Sequence, residues 1–397
     1  MTLGIVGTMA VTLLVLYLGY GIRAVVKPLD RLNIPAPVIG GLLIAAVLTM
    51  LRARGSSVVQ FDTTLQQPLM IAFFTSLGFA ASYRLLRAGG VQVIVLLAAA
   101  SVLAVVQNLV GAGIALLYGL HPLFGVLTGA VSLTGGPATS LAFAPLIEQA
   151  GVPNASAVAL ASAMGGIVLG SLFGAPIATW LIKRHRLKPD GRAAEPIPAP
   201  AAASAGEPAP DASATALKCL AAMLGAMALG AWLGEHIQRA GITMPSYIGA
   251  MLVAGALRNL DDATGWLRLP VRALDTFGSV ALMLFLVMAL MNLDLLALTH
   301  LAQPLLVTLL VQLLVVALFC AWPLHRLMGR DYDSAVMCGG FAGFMLGTTA
   351  NAMAVMSSLV ERYGLAPRAF LVAPLVGAFF LDFTNALVIT ISVNLLR

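Results

Sequence analysis

Asp382 lies in the run Ala378-Phe379-Phe380-Leu381-Asp382-Phe383-Thr384-Asn385-Ala386, deep inside an apolar stretch. A carboxylate at such a position costs about 2.5–3.5 kcal/mol on insertion scales, which marks it as functional, and cation binding is the chemistry that suits it. Asn385 falls on the same helix face nearly one turn on. Two further apolar segments, 122–148 and 332–360, are broken in the middle by Gly, Thr, Ser and Pro. Glycine lets the chain turn back and leaves carbonyls bare enough to coordinate Na⁺, while helices that start at such breaks present N–H groups to a carboxylate. Small residues of this kind also serve close helix packing, the alternative reading of these breaks. The candidate ligands of an anionic solute are Ser132, Thr134, Gly135, Gly136, Thr139, Gly347, Thr348, Thr349 and Asn351. Candidate cation ligands are Asp382, Asn385, Asn108, Gly135 and Thr348, Asn108 being half of a polar pair, Gln107-Asn108, inside another apolar run.

Other chemistries find no support. His121, His185, His236, His300 and His325 all fall at the ends of apolar runs or between them, without metal-ligand spacing. No Ser/His/Asp arrangement stands at a usable depth, so the residues give no reason to expect an enzyme, a catalytic residue or a bound cofactor. The Gly-rich breaks follow no strand and carry no Lys-Ser or Lys-Thr, which argues against nucleotide binding. Cys219, Cys320 and Cys338 lie in or beside apolar runs and read as small hydrophobes. A net charge of +6 invites a nucleic-acid partner, but the basic residues sit in short loops between apolar runs, where they act as topology signals.

The elements that must position these groups are membrane helices. Of the 397 residues, 60% are hydrophobic and only 10% charged, with a mean hydropathy of +0.97. Apolar stretches of about 20 residues predict an all-α polytopic membrane protein, and the absence of period-two alternation argues against a barrel. Spans are expected at about 4–26, 34–52, 67–85, 91–118, 155–184, 215–239, 244–258, 276–298, 303–328 and 367–395. The N-terminus has no basic segment before its apolar run and reads as a first span rather than a cleaved signal. Residues 185–214, rich in Ala and Pro, read as a flexible linker.

The half after the linker repeats the half before it. Ile39-Gly40-Gly41-Leu42 is answered by Ile248-Gly249-Ala250-Met251, Phe61-Asp62-Thr63 by Leu274-Asp275-Thr276, and Leu146-Ile147-Glu148 by Leu359-Val360-Glu361. Five spans precede the linker, an odd number, so the second repeat enters the membrane from the opposite side. The expected organisation is two inverted-topology repeats, 1–184 and 215–397, each of five transmembrane helices plus one re-entrant hairpin. With both termini outside and the linker cytoplasmic, all but Arg52, Arg54, Arg239 and Arg397 of the 22 Lys and Arg residues fall on the cytoplasmic side. Counting 122–148 as a full span would destroy that asymmetry. As a hairpin its arms of about ten residues reach roughly 15 Å, half the hydrocarbon thickness, so its tip stands near the midplane. The register set by Glu148 and Glu361 brings Gly135-Gly136 onto Thr348-Thr349.

A duplicated membrane sequence with a polar interruption in each half points to a secondary transporter. Three readings remain open: a Na⁺-coupled carrier, an H⁺-coupled one using Asp382 as the proton site, and a passive channel or non-transporting sensor.

Several stretches carry a resemblance. Ile34-Pro35-Ala36-Pro37-Val38-Ile39-Gly40-Gly41-Leu42-Leu43, Pro68-Leu69-Met70-Ile71-Ala72-Phe73-Phe74, Leu86-Arg87-Ala88-Gly89-Gly90, Val106-Gln107-Asn108 and Val376-Gly377-Ala378-Phe379-Phe380-Leu381-Asp382-Phe383-Thr384-Asn385 resemble the bacterial sodium/glutamate symporter family. The likeness covers nearly the whole chain except the linker. It implies L-glutamate uptake driven by Na⁺ across the bacterial inner membrane, a homodimer, and an elevator-type transport domain carrying both hairpins. The 2-hydroxycarboxylate symporters are similar in architecture. At the breaks the chain departs from the family pattern: Leu133-Thr134-Gly135-Gly136-Pro137-Ala138-Thr139 and Gly340-Phe341-Ala342-Gly343-Phe344-Met345-Leu346-Gly347-Thr348-Thr349 lack the His that the family carries in each. Glutamate therefore stands beside other amino acids and di- or hydroxycarboxylates as the expected solute.

Overall fold

Helices stand at each expected span, and their lengths follow the apolar runs. A computed structural model describes residues 2–54, 59–88, 90–189, 212–239, 245–293 and 301–396. Most of the linker, Asp294 and His300 lie outside the described residues. Of the described residues, 85% are helical. Its first part holds α1 (Ile5–Val25), α2 (Lys27–Arg31), α3 (Ala36–Ala53), α4 (Gln66–Ala80), α5 (Tyr83–Ala88), α6 (Gly90–Leu117), α7 (Pro122–Val126), α8 (Gly136–Gln149) and α9 (Ala155–His185). After the linker come α10 (Ala212–Arg239), α11 (Ser246–Thr264), α12 (Val271–Met291), α13 (Ala302–Phe319), α14 (His325–Leu327), α15 (Tyr332–Met345), α16 (Thr349–Tyr363), α17 (Pro367–Leu375) and α18 (Leu381–Leu396). Two-residue strands β1 (Thr2–Leu3) and β2 (Gln60–Phe61) pair in parallel, a tie that the apolar pattern does not announce. Beside it, the Thr64 side chain and amide both donate to the Asp62 carboxylate, which holds that group below the usual carboxylate range.

Among the described residues, seven helices are long and apolar enough to cross a membrane: α1, α3, α6, α9, α10, α12 and the run Ala302–Leu327. The other three expected spans are built differently. α4 has 15 residues, α11 ends in the polar stretch Arg258–Asp262, and α17 joins α18 through a π-helical turn at Val376–Phe380. Large apolar side chains such as Leu14, Tyr17 and Leu109 stay exposed, as expected of surfaces facing lipid.

The helices sort into two packed groups. In one, α4 lies against α11 and α12, α11 against α10, and α3 against α1 and α12. In the other, α9 backs α8, α15 and α16, while α6 lies against α7, α13 and α18. The groups meet chiefly where α12 touches α8 and α4 touches α18. Within the first group two helix crossings are alike. At Gly40 of α3 an added side-chain carbon would collide with the Val15 carbonyl of α1, and at Gly249 of α11 it would collide with the Gly230 carbonyl of α10. Only a residue without a side chain permits backbones to approach this closely.

Candidate functional site

The two interrupted segments are helix–break–helix units. In the first, α7 runs into a π-helical turn at Leu127–Val131, where Gly129 leaves helical geometry at φ −94° and ψ −126°. The chain turns through Ser132–Gly135 and restarts as α8 at Gly136, which takes φ +65°, a left-handed value suited to glycine. In the second, α15 ends at Met345 and α16 starts after Thr348, whose hydroxyl accepts the Asn351 amide as an N-cap. The breaks touch each other, because a side-chain carbon on Gly136 would lie 3.5 Å from the Gly347 carbonyl oxygen.

A broken helix at membrane depth frees backbone groups that lipid cannot satisfy. Here α6, α13 and α18 supply amide side chains for them. Gln107 Nε2 donates to the Met345 carbonyl at 3.0 Å and Gln107 Oε1 accepts the Thr134 hydroxyl at 2.6 Å, so one side chain joins both breaks. Gln312 Nε2 donates to the Gln107 carbonyl at 2.7 Å. Asn108 Oδ1 accepts the Ala130 amide at 3.0 Å, Asn385 Nδ2 donates to the Ala130 carbonyl at 3.1 Å, and Asn108 Nδ2 reaches Ser392 at 3.0 Å. Two acceptors in this buried layer, Gln312 Oε1 and Asn385 Oδ1, have no donor among the described residues.

Between the breaks and the first helix group lies a cavity of about 340 Å³. Thr134, Gly135, Gly136, Gly347, Thr348 and Thr349 line it, so the starts of α8 and α16, the positive ends of both helices, border the space. Asp382, in the first turn of α18, faces the same cavity and takes no hydrogen bond or ion pair from any described residue. The π-helical turn before it releases the Gly377 carbonyl, which accepts the Thr349 hydroxyl at 2.6 Å and ties α16 to the Asp382 segment. A carboxylate without a protein cation, beside helix starts that favour anions, is an arrangement that takes a cation and an anion together.

The remaining residues singled out in the sequence lie behind this surface. Ser132 donates to Leu127 at 2.6 Å, Thr139 is buried, and Asn351 donates to the Ile167 carbonyl at 3.0 Å. Asn108 and Asn385 do not line the cavity. Two polar residues not among the sequence candidates do line it, Tyr20 and Arg23 of α1. Arg23 was one of many loop cations, and nothing local in the sequence sets it apart. Among the described residues no group of three or more His, Cys, Asp or Glu is placed to hold a metal ion.

Comparison with known proteins adds an independent finding. A family model described as Sodium/glutamate symporter matches residues 1–365. A Sodium/glutamate symporter of Escherichia coli (strain K12) is 39% identical over 388 residues, covering 96% of this chain and 95% of the relative. One from Haemophilus influenzae is 34% identical over 391 residues, covering 97% and 96%.

Proposed function

The chain belongs to the sodium/glutamate symporter family, and from that premise we propose that it carries L-glutamate across the bacterial inner membrane with Na⁺ as the coupling ion. The observation that carries this reading is the cavity between the two breaks, which joins two helix starts to an unpartnered Asp382. The α-carboxylate of the solute takes the Thr349 N–H and lies against the positive ends of α8 and α16, where the helix dipoles favour negative charge. Na⁺ takes the Asp382 carboxylate, with the carbonyls bared at Gly135 and Gly347 and the hydroxyl of Thr348 close by. The donorless Asn385 Oδ1 supplies a further oxygen acceptor one turn deeper in α18. Coupling follows from charge. With the cation absent, Asp382 repels an anionic solute and is costly to carry through apolar surroundings; with the cation bound, both penalties fall.

Movement follows from the packing. Both breaks, the clasp around Gln107 and Asp382 belong to the α6–α9 and α13–α18 group, so they travel as a unit past the α1–α4 and α10–α12 group. That is an elevator, with the α1–α4 and α10–α12 group as scaffold of a homodimer. The paired crossings at Gly40 and Gly249 and the paired breaks support two inverted repeats of five spans and one re-entrant hairpin, with both termini outside and the linker cytoplasmic. The test is a thermal-shift titration of the purified protein with glutamate, aspartate and dicarboxylates, each with Na⁺ and with choline in its place. Stabilisation by glutamate only with Na⁺ is expected. Stabilisation by another carboxylate alone would replace the solute, and a response that follows pH but not Na⁺ would replace the coupling ion.

A further inference from the structure

The cavity holds one full charge of each sign, and the positive one has no part in the account above. Arg23, in the last turn of α1, lines the cavity from the group opposite Asp382. Its guanidinium leans on Asp30 of α2, with Nε 2.9 Å and Nη2 2.7 Å from the same oxygen, Oδ1. The two side chains are 32% and 63% exposed, so water competes for the pair and it is readily exchanged. A guanidinium has five N–H donors, and the Nη1 side of Arg23 has no partner among the described residues. Arg23 and Tyr20 also line a second cavity, of about 350 Å³, together with Lys27 and Asp30. Arg23 thus stands where the deeper cavity opens toward a basic antechamber.

We infer that Arg23 is the specificity residue of the site: it takes the distal carboxylate of an acidic amino acid, giving up Asp30 to do so. This rests on the proposed function. Helix starts offer partial charges that suit the α-carboxylate every amino acid carries, so they do not separate glutamate from glutamine. Asp382 disfavours a second carboxylate unless a cation intervenes. A guanidinium supplies two parallel N–H donors to a planar carboxylate and only poorer ones to a neutral amide. The cavity's own lining therefore assigns recognition of the solute's head to α8 and α16, and recognition of its tail to α1. Because α1 belongs to the opposite helix group, the tail contact forms only in the conformation that brings the breaks beside Arg23.

The test measures Na⁺-dependent binding of glutamate and glutamine to the full-length protein, unmodified and carrying Arg23→Gln, Arg23→Lys or Asp30→Asn. Arg23→Gln should weaken glutamate by roughly tenfold to a hundredfold, the span expected for a hydrogen bond to a charged group, and leave glutamine nearly unchanged. Arg23→Lys should recover part of the loss. Asp30→Asn removes the competing carboxylate and should tighten glutamate by up to roughly fivefold, a gain that a merely structural corner pair would not give. If Arg23→Gln retains the unmodified preference for glutamate over glutamine, the inference is overturned while the transport reading stands. If the unmodified protein shows no Na⁺-dependent glutamate binding, both fall. An Arg23→Gln protein that loses glutamate and glutamine equally also overturns the inference.

Discussion

Asn108 and Asn385 grip opposite sides of one residue: the first accepts the Ala130 amide at 3.0 Å and the second donates to the Ala130 carbonyl at 3.1 Å. They come from α6 and α18, and Ala130 follows the kinked Gly129 of the first break. The break is therefore held open by side chains that replace the helix's own hydrogen bonds. This arrangement engages both the oxygen and the nitrogen of Asn108, while of the two residues Asn385 keeps a spare oxygen.

Replacing Asn108 by Ala takes the Asn108 oxygen from the buried Ala130 amide, and replacing Asn385 by Ala leaves the Ala130 carbonyl with the Gly135 amide, 3.0 Å away, as its donor. The first change should cost about 1–3 kcal/mol and the second about 0.5–1.5 kcal/mol, each read as a lower midpoint of thermal denaturation in detergent. The double variant should lose less than the sum, since both side chains act on one residue. Additive losses would show that the two contacts are independent.

Gln107→Leu keeps approximate volume and removes the clasp between Thr134 and the Met345 carbonyl. Both breaks are then free to shift, so transport should fall at least about tenfold while the protein still folds, a larger effect on rate than its cost of about 1–3 kcal/mol in stability suggests. Near-normal uptake by a stable Gln107→Leu protein would separate the clasp from function.

Gly40→Ala and Gly249→Ala each place a methyl group against a backbone carbonyl of the neighbouring helix. Overpacking of this kind costs about 1–3 kcal/mol, and the two variants should show similar falls in thermal midpoint because the two crossings are alike. Gly113, which has open space around it, is the control and should tolerate Ala.

Asp382→Asn removes the charge but keeps the shape. The Na⁺ concentration that half-saturates glutamate binding should rise by roughly tenfold or more, as expected on losing a charged contact. An unchanged Na⁺ requirement would remove Asp382 from the cation site.

The sequence made some of this legible and hid the rest for physical reasons. Spans and breaks were readable because hydropathy and Gly/Thr composition are local properties, and α8 and α16 begin where the interruptions lie. Asp382 stands out because a carboxylate in an apolar run is costly and rare, whether it binds a cation, carries a proton or makes a helix-packing hydrogen bond. Gln107-Asn108 looked like an isolated polar pair, since its partners Met345 and Ser392 lie in the other half of the chain. Ser132, Thr139 and Asn351 share the composition of the breaks but turn away from the cavity, a choice of helix face set by backbone geometry at each kink. Arg23 was hidden by its likeness to the other loop cations, and only the approach of α1 to the breaks distinguishes it. The π-helical turns at Leu127 and Val376 leave no mark in residue type.

The measurement that bears most directly on the central claim is uptake of labelled L-glutamate into proteoliposomes under an imposed inward Na⁺ gradient. The account predicts saturable accumulation above the external concentration, abolished when Na⁺ is equal on both sides or replaced by choline. Accumulation driven by a pH jump without Na⁺, or equilibration that never exceeds the external concentration, would contradict it.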